Sequence, residues 1–93
     1  MIYTNNIIKA YASAIKDIMN QETISESDKR NVFETVLELR KAADRMDSPY
    51  ADTLADAEER SMHLVYVAES KKAVVTDKAL LVSLMNEIVS WEE

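Results

Sequence analysis

Glycine and cysteine are absent from this 93-residue chain, and proline, histidine, tryptophan and phenylalanine each occur once. At an average usage of about 7%, a chain of this length would hold roughly six glycines. Without glycine there is no phosphate-cradling Walker loop and no dinucleotide fingerprint, because both need it where backbone meets phosphate. The two-residue hairpin turns of types I′ and II′ also lose their favoured residue, which points away from antiparallel β architecture. Without cysteine there is no disulfide framework, no thiol nucleophile and no thiolate zinc site. Bases are the minority charge: eleven Lys and Arg against seventeen Asp and Glu give a formal net charge of −6. A surface that binds nucleic acid directly would show the opposite balance, with clustered Lys and Arg. The uncharged stretch near the C-terminus, Ala79 to Met85, falls far short of the ~20 residues a membrane span requires. Met1 to Lys16 has no basic segment ahead of an apolar block and does not read as a signal peptide. The location expected from these features is cytoplasmic.

What is present is an ordinary globular composition, 47% apolar and 30% charged. The length suits one domain over 1–93 with a single modest core, since folding at this size buries roughly 60–65% of the unfolded surface. The spacing of apolar residues predicts four helices, at about 4–20, 26–46, 49–70 and 77–91, packed as a small antiparallel four-helix bundle. In the first, Ile7, Ile8, Tyr11, Ala14, Ile15, Ile18 and Met19 share a face, with Thr4 as N-cap and Asn20 suited to a left-handed C-terminal position. Ser25 caps the second helix, whose predicted core face is Val32, Phe33, Val36, Leu37, Leu39, Ala43 and Met46. Arg30, Glu34, Glu38 and Lys41 follow one another along its outer ridge, an exposed charge lattice. Ser48-Pro49 then ends that helix and opens the third, with serine as cap and proline as first helical residue.

At ~100° per residue, Tyr50, Leu54, Ala57, Ser61, Leu64, Val65 and Ala68 of the third helix fall in one narrow arc. Asp52, Asp56, Glu59 and His63 lie opposite, on the solvent side. The tract from His63 to Ala68 is β-branched enough to suit a strand as well. Lys71-Lys72 reads as a turn, and Thr76-Asp77 as the capped start of the fourth helix. Apolar residues of that helix, Leu80 through Trp91, cover ~200° of its wheel, wider than the 100° or so that one core contact uses. Either the helix sits centrally or its second face meets another chain. The second alternative predicts a homodimer with Val82, Met85 and Val89 at the interface.

No constellation assigns a reaction. Asp56, Glu59 and His63 have helical spacing, but bundle di-metal sites use inward-facing Glu-x-x-His pairs on two helices, and here one Glu-x-x-x-His faces outward. His63 has no activated serine or threonine at a useful spacing, since Ser61 belongs to the core stripe and Ser70 lies two turns away. It reads as a surface histidine with no positioned partner. The expected protein is therefore non-enzymatic, with no metal and no cofactor.

Charge distribution carries the functional reading. Residues 44–59 hold six acids and one base, a net of −5 out of −6 for the chain. Within that run Asp44, Asp47, Asp52, Asp56 and Glu59 form the candidate partner-binding ridge. Such a ridge suits a protein partner with a basic surface, as a nucleic-acid-mimic inhibitor or adaptor would. The fallback surface is the apolar surplus on the fourth helix or the outer residues Tyr66 and Val67. The alternative function is a self-assembling scaffold in which the fourth helix drives oligomerisation.

Overall fold

A computed structural model of the protein describes residues 3–91. They form α1 (Asn5–Met19), α2 (Glu26–Met46), α3 (Ala51–Tyr66) and α4 (Lys71–Val89), with no strand among the described residues. Pairings across the seams set the helix directions. Arg40 meets Glu58 and Phe33 meets Tyr66, so numbers rise along α3 as they fall along α2. Lys9 reaches the Trp91 carbonyl and Lys78 that of Gln21, so α1 and α4 are antiparallel too. The result is the expected all-α four-helix bundle. In space α4 lies between α1 and α3, α3 lies between α4 and α2, and α1 touches α2 only sparsely.

Each helix buries one stripe at three- and four-residue spacing, the period that returns a side chain to the same face. The stripes are Ile8, Ala12, Ile15 and Met19 on α1; Val32, Val36, Leu39 and Ala43 on α2; Leu54, Ala57, Ser61 and Leu64 on α3; Asp77, Leu81, Met85 and Ile88 on α4. Fully burying each large apolar member stabilises by roughly 1.5–3 kcal/mol before entropy is counted. Ala12 rather than Ala14 fills the α1 stripe, Phe33 and Leu37 are only half-buried, and Met46 is exposed. Two stripe positions are polar, Ser61 and Asp77. Ser61 donates its hydroxyl to the Glu58 carbonyl within its own helix, at 3.0 Å. Asp77 is resolved differently, as described below.

The predicted caps hold at two helix starts. Thr4 Oγ1 accepts from the Ile7 N–H at 3.2 Å and Ser25 Oγ from the Asp28 N–H at 3.0 Å. Asn20 departs from expectation, staying right-handed at φ −81°, ψ −7°. Its N–H closes onto the Lys16 and Ile18 carbonyls without a left-handed residue, and the Lys78 ammonium ties the following Gln21 and Glu22 carbonyls to α4. The left-handed cap falls instead on Asp47, at φ 50°, where the Ser48 N–H closes back onto the Ala43 carbonyl at 2.9 Å. Ser48 does not act as the helix N-cap. Its hydroxyl donates to Asn5 Oδ1 and accepts from the Tyr50 N–H, tying the turn to α1, and α3 begins only at Ala51.

The largest correction is at the last connection. The third helix stops at Tyr66, which settles most of His63–Ala68 as helix rather than strand, and α4 starts at Lys71 instead of 77. Ser70 is its cap, accepting from the Ala73 N–H at 3.0 Å. Two lysines in a first turn run against the helix dipole, which is why they read as a turn; the serine cap outweighs them. Much of the wide apolar arc of α4 is used inside the chain, because α4 has a neighbour on each side, while Leu80 stays 40% exposed. Met85 is fully enclosed (0% exposed), and Val82 and Val89 pack half-buried against the same core. Met85 therefore offers no surface for a second copy.

Candidate functional site

The acidic run divides according to which bases reach it. On the α2–α3 seam Arg40 takes two carboxylates, Glu58 in a two-pronged grip (Nη2–Oε1 3.1 Å, Nε–Oε2 3.2 Å) and Asp44 one turn along its own helix (Nη1–Oδ2 2.9 Å). The fork of a guanidinium matches a carboxylate, so the geometry is specific. Hydrogen bonds to Glu58 and then to Asp44 raise the Arg40 guanidinium above its ordinary value. An upward shift of a base means its charge supports the fold until strong alkali removes it. Asp44 and Glu58 thus share one positive charge. Asp47 sits apart, as the left-handed residue ending α2.

On the α3–α4 seam the proportions reverse. The Asp77 carboxylate is 1% exposed and is held by Arg60 (Nη1–Oδ1 3.0 Å) and His63 (Nδ1–Oδ2 2.6 Å). An enclosed carboxylate without such partners would be costly, and two donors from one face of α3 meet both of its oxygens. The reading of His63 as partnerless is thereby corrected: its ring is partly buried and tied to α4. Because an ionised carboxylate only accepts, the neutral ring must carry its hydrogen on Nδ1, leaving Nε2 as an acceptor. An imidazole oriented by an aspartate is two-thirds of a nucleophilic relay. The third part is not there, since among the described residues no hydroxyl hydrogen-bonds His63. Nor, among them, do three His, Cys, Asp or Glu side chains converge where a metal ion would sit.

Asp52, Asp56 and Glu59 remain exposed on one side of α3, and none takes part in an ion pair among the described residues. They are brought together as predicted, while Asp44 and Asp47 are not part of the same face. Asp52 lies in the first turn of α3, where the helix dipole favours it; Asp56 and Glu59 lie beyond that turn. A groove of about 360 Å³ separates this edge from α4, lined by Asp56, Glu59 and Arg60 on one wall and by Leu80, Leu84 and Glu87 on the other. Arg60 adds no free positive charge there, because Asp77 beneath it holds the guanidinium. Met62, Tyr66 and Val67 of the α3 end are exposed apolar residues, and the Tyr66 ring meets Phe33 of α2 edge-on at 5.9 Å.

Sequence reasoning missed Asp77, Arg60 and Arg40. A signal for Asp77 existed: stepping back from Ile88, Met85 and Leu81 at the same spacing lands on 77, so its place in the buried stripe was written in the helical register. Its partners were not, because Arg60 and His63 join it only once α3 and α4 are paired. Comparison with protein families, with curated proteins and with solved structures finds no match.

Proposed function

We propose that this chain is a non-enzymatic interaction module that engages a basic surface of a protein partner through the free carboxylates of α3. The observation that carries the reading is the division just described: Asp44 and Glu58 share the charge of Arg40, while Asp52, Asp56 and Glu59 stay exposed without an ion-pair partner among the described residues. Their rise of ~1.5 Å per residue spaces them about 4.5–6 Å apart along one rigid helix. Fixed charge of that kind accelerates encounter with a complementary surface and does so less as salt increases. The test isolates a partner with the unaltered protein as bait, then compares it with the triple variant Asp52→Asn, Asp56→Asn, Glu59→Gln. The variant should keep full helicity, since none of the three is buried, and should lose most of the association rate and its salt dependence. A partner that binds the triple variant with unchanged affinity and salt response would reduce the ridge to a solubility feature.

A second reading, self-assembly, draws support from the exposure of Tyr66 (67%) and Val67 (58%) beside Met62. Light scattering decides it: a mass that rises with concentration, and falls back in Tyr66→Lys, would favour this face over the acidic one.

A further inference from the structure

We infer that the partner element seated in the α3–α4 groove is a basic amphipathic helix presenting an apolar side chain flanked by Lys or Arg, a specification that rests on the interaction reading above. The groove has walls of different origin and one common sign of charge. Asp56 and Glu59 stand on α3 and Glu87 on α4, all exposed and without an ion-pair partner among the described residues. The one base between them, Arg60, is drawn to the enclosed Asp77 at 3.0 Å. Three carboxylates on two helices thus face a common space with no ion-pair partner among the described residues.

The α4 wall also carries two leucines. Leu80, a large aliphatic side chain, is 40% exposed at this spot, and Leu84, four residues on, packs half-buried against the core beside it. A purely electrostatic contact gains nothing from a wet leucine between two acidic rims. An occupant that places an apolar group over Leu80 and cations against both rims satisfies both features. Spacing favours a helix for that occupant. Asp56 and Glu59 are about 4.5 Å apart along α3, and Leu80 and Leu84 about 6 Å apart along α4. Those are the intervals at which a helix lying along the groove repeats its own i, i+3 and i+4 side chains.

Two synthetic peptides of equal length and charge test this against the unaltered protein. One carries leucines at i, i+4 and i+7 with lysines on both flanks; the other has serine at each leucine position. The leucine peptide should bind about tenfold tighter or better, on the order of what burying a single leucine supplies. That advantage should disappear in Leu80→Ser, and Asp56→Asn with Glu59→Gln and Glu87→Gln should weaken both peptides and flatten their salt dependence. On the unaltered protein, the amide resonances of residues 56, 59, 80, 84 and 87 should move together on titration, which locates binding even if a variant folds poorly. Equal binding of both peptides, still weakened by the carboxamide changes, would retain the acidic-face reading and overturn the helical occupant. A leucine preference that survives Leu80→Ser with shifts centred on Met62 and Tyr66 would overturn it as well. Binding indifferent to the carboxamide changes would overturn both readings.

Discussion

The two seams of α3 are built from the same parts in opposite proportion. Towards α2 one arginine holds two carboxylates, and all three side chains keep between a quarter and a half of their exposure. Towards α4 one carboxylate holds an arginine and a histidine and is itself enclosed. The first cluster gives two acids a shared base; the second ties two basic side chains to one enclosed acid. Together they leave Asp52, Asp56 and Glu59 of the 44–59 run without an ion-pair partner on one side of α3 among the described residues. The energetics differ as well. Ion pairs in contact with water contribute little and fade with salt, whereas breaking a buried pair by deleting one partner strands a charge where water cannot reach it.

The most severe way to break the contrast is Arg60→Ala, which leaves the enclosed Asp77 carboxylate without its charged partner. A loss of about 3 kcal/mol or more is expected, lowering the melting temperature by roughly 10–20 °C for a domain of this size; urea denaturation followed by circular dichroism measures it. Next is His63→Ala, which keeps the carboxylate but leaves one of its oxygens short of a donor. It should cost about 1.5 kcal/mol, the usual scale for a hydrogen bond to a charged group. A cost below about 0.5 kcal/mol would return His63 to the class of surface residues.

Tyr50→Phe sharpens the comparison from the other side. The Tyr50 hydroxyl is buried with no partner among the described residues, while its ring packs edge-on against Trp91 at 6.0 Å. Where Asp77 is doubly satisfied, this group is not satisfied at all, so its removal should stabilise by up to about 1 kcal/mol. The smallest effect is expected from neutralising Asp52, Asp56 and Glu59 together. Stability should change by no more than about 0.5 kcal/mol, because these side chains hold nothing in place; a larger loss on thermal melting would mean that the ridge is structural.

The helices themselves were legible because each stripe is periodic on its own sequence, and Thr4 and Ser25 mark their starts with local chemistry. Asp52, Asp56 and Glu59 were legible as a group for the same reason, since a face shared within one helix needs no knowledge of its neighbours. What was not legible depends on pairing between helices. Nothing local distinguishes Asp44, which Arg40 reaches, from Asp56, which no base reaches among the described residues. Asp77 shows the limit most clearly. An aspartate after threonine has the local form of a helix start, and only the side chains of α3 make its burial tolerable. The width of the apolar arc on α4 posed a choice that sequence left open; the position of α4 between α1 and α3 takes up much of that arc and leaves Leu80 outside it.

The division of charge between the two seams is tested most directly by a pair of double-mutant cycles, Arg60→Ala with Asp77→Asn and Arg40→Ala with Glu58→Gln, each run at low salt and near 1 M, where screening acts over ~3 Å. The coupling between 60 and 77 should be the larger of the two and should persist at high salt, while that between 40 and 58 should be small and largely screened away. Equal couplings, or a 60–77 coupling that vanishes with salt, would contradict the burial of Asp77 as the feature that draws the bases inward and leaves the α3 face acidic.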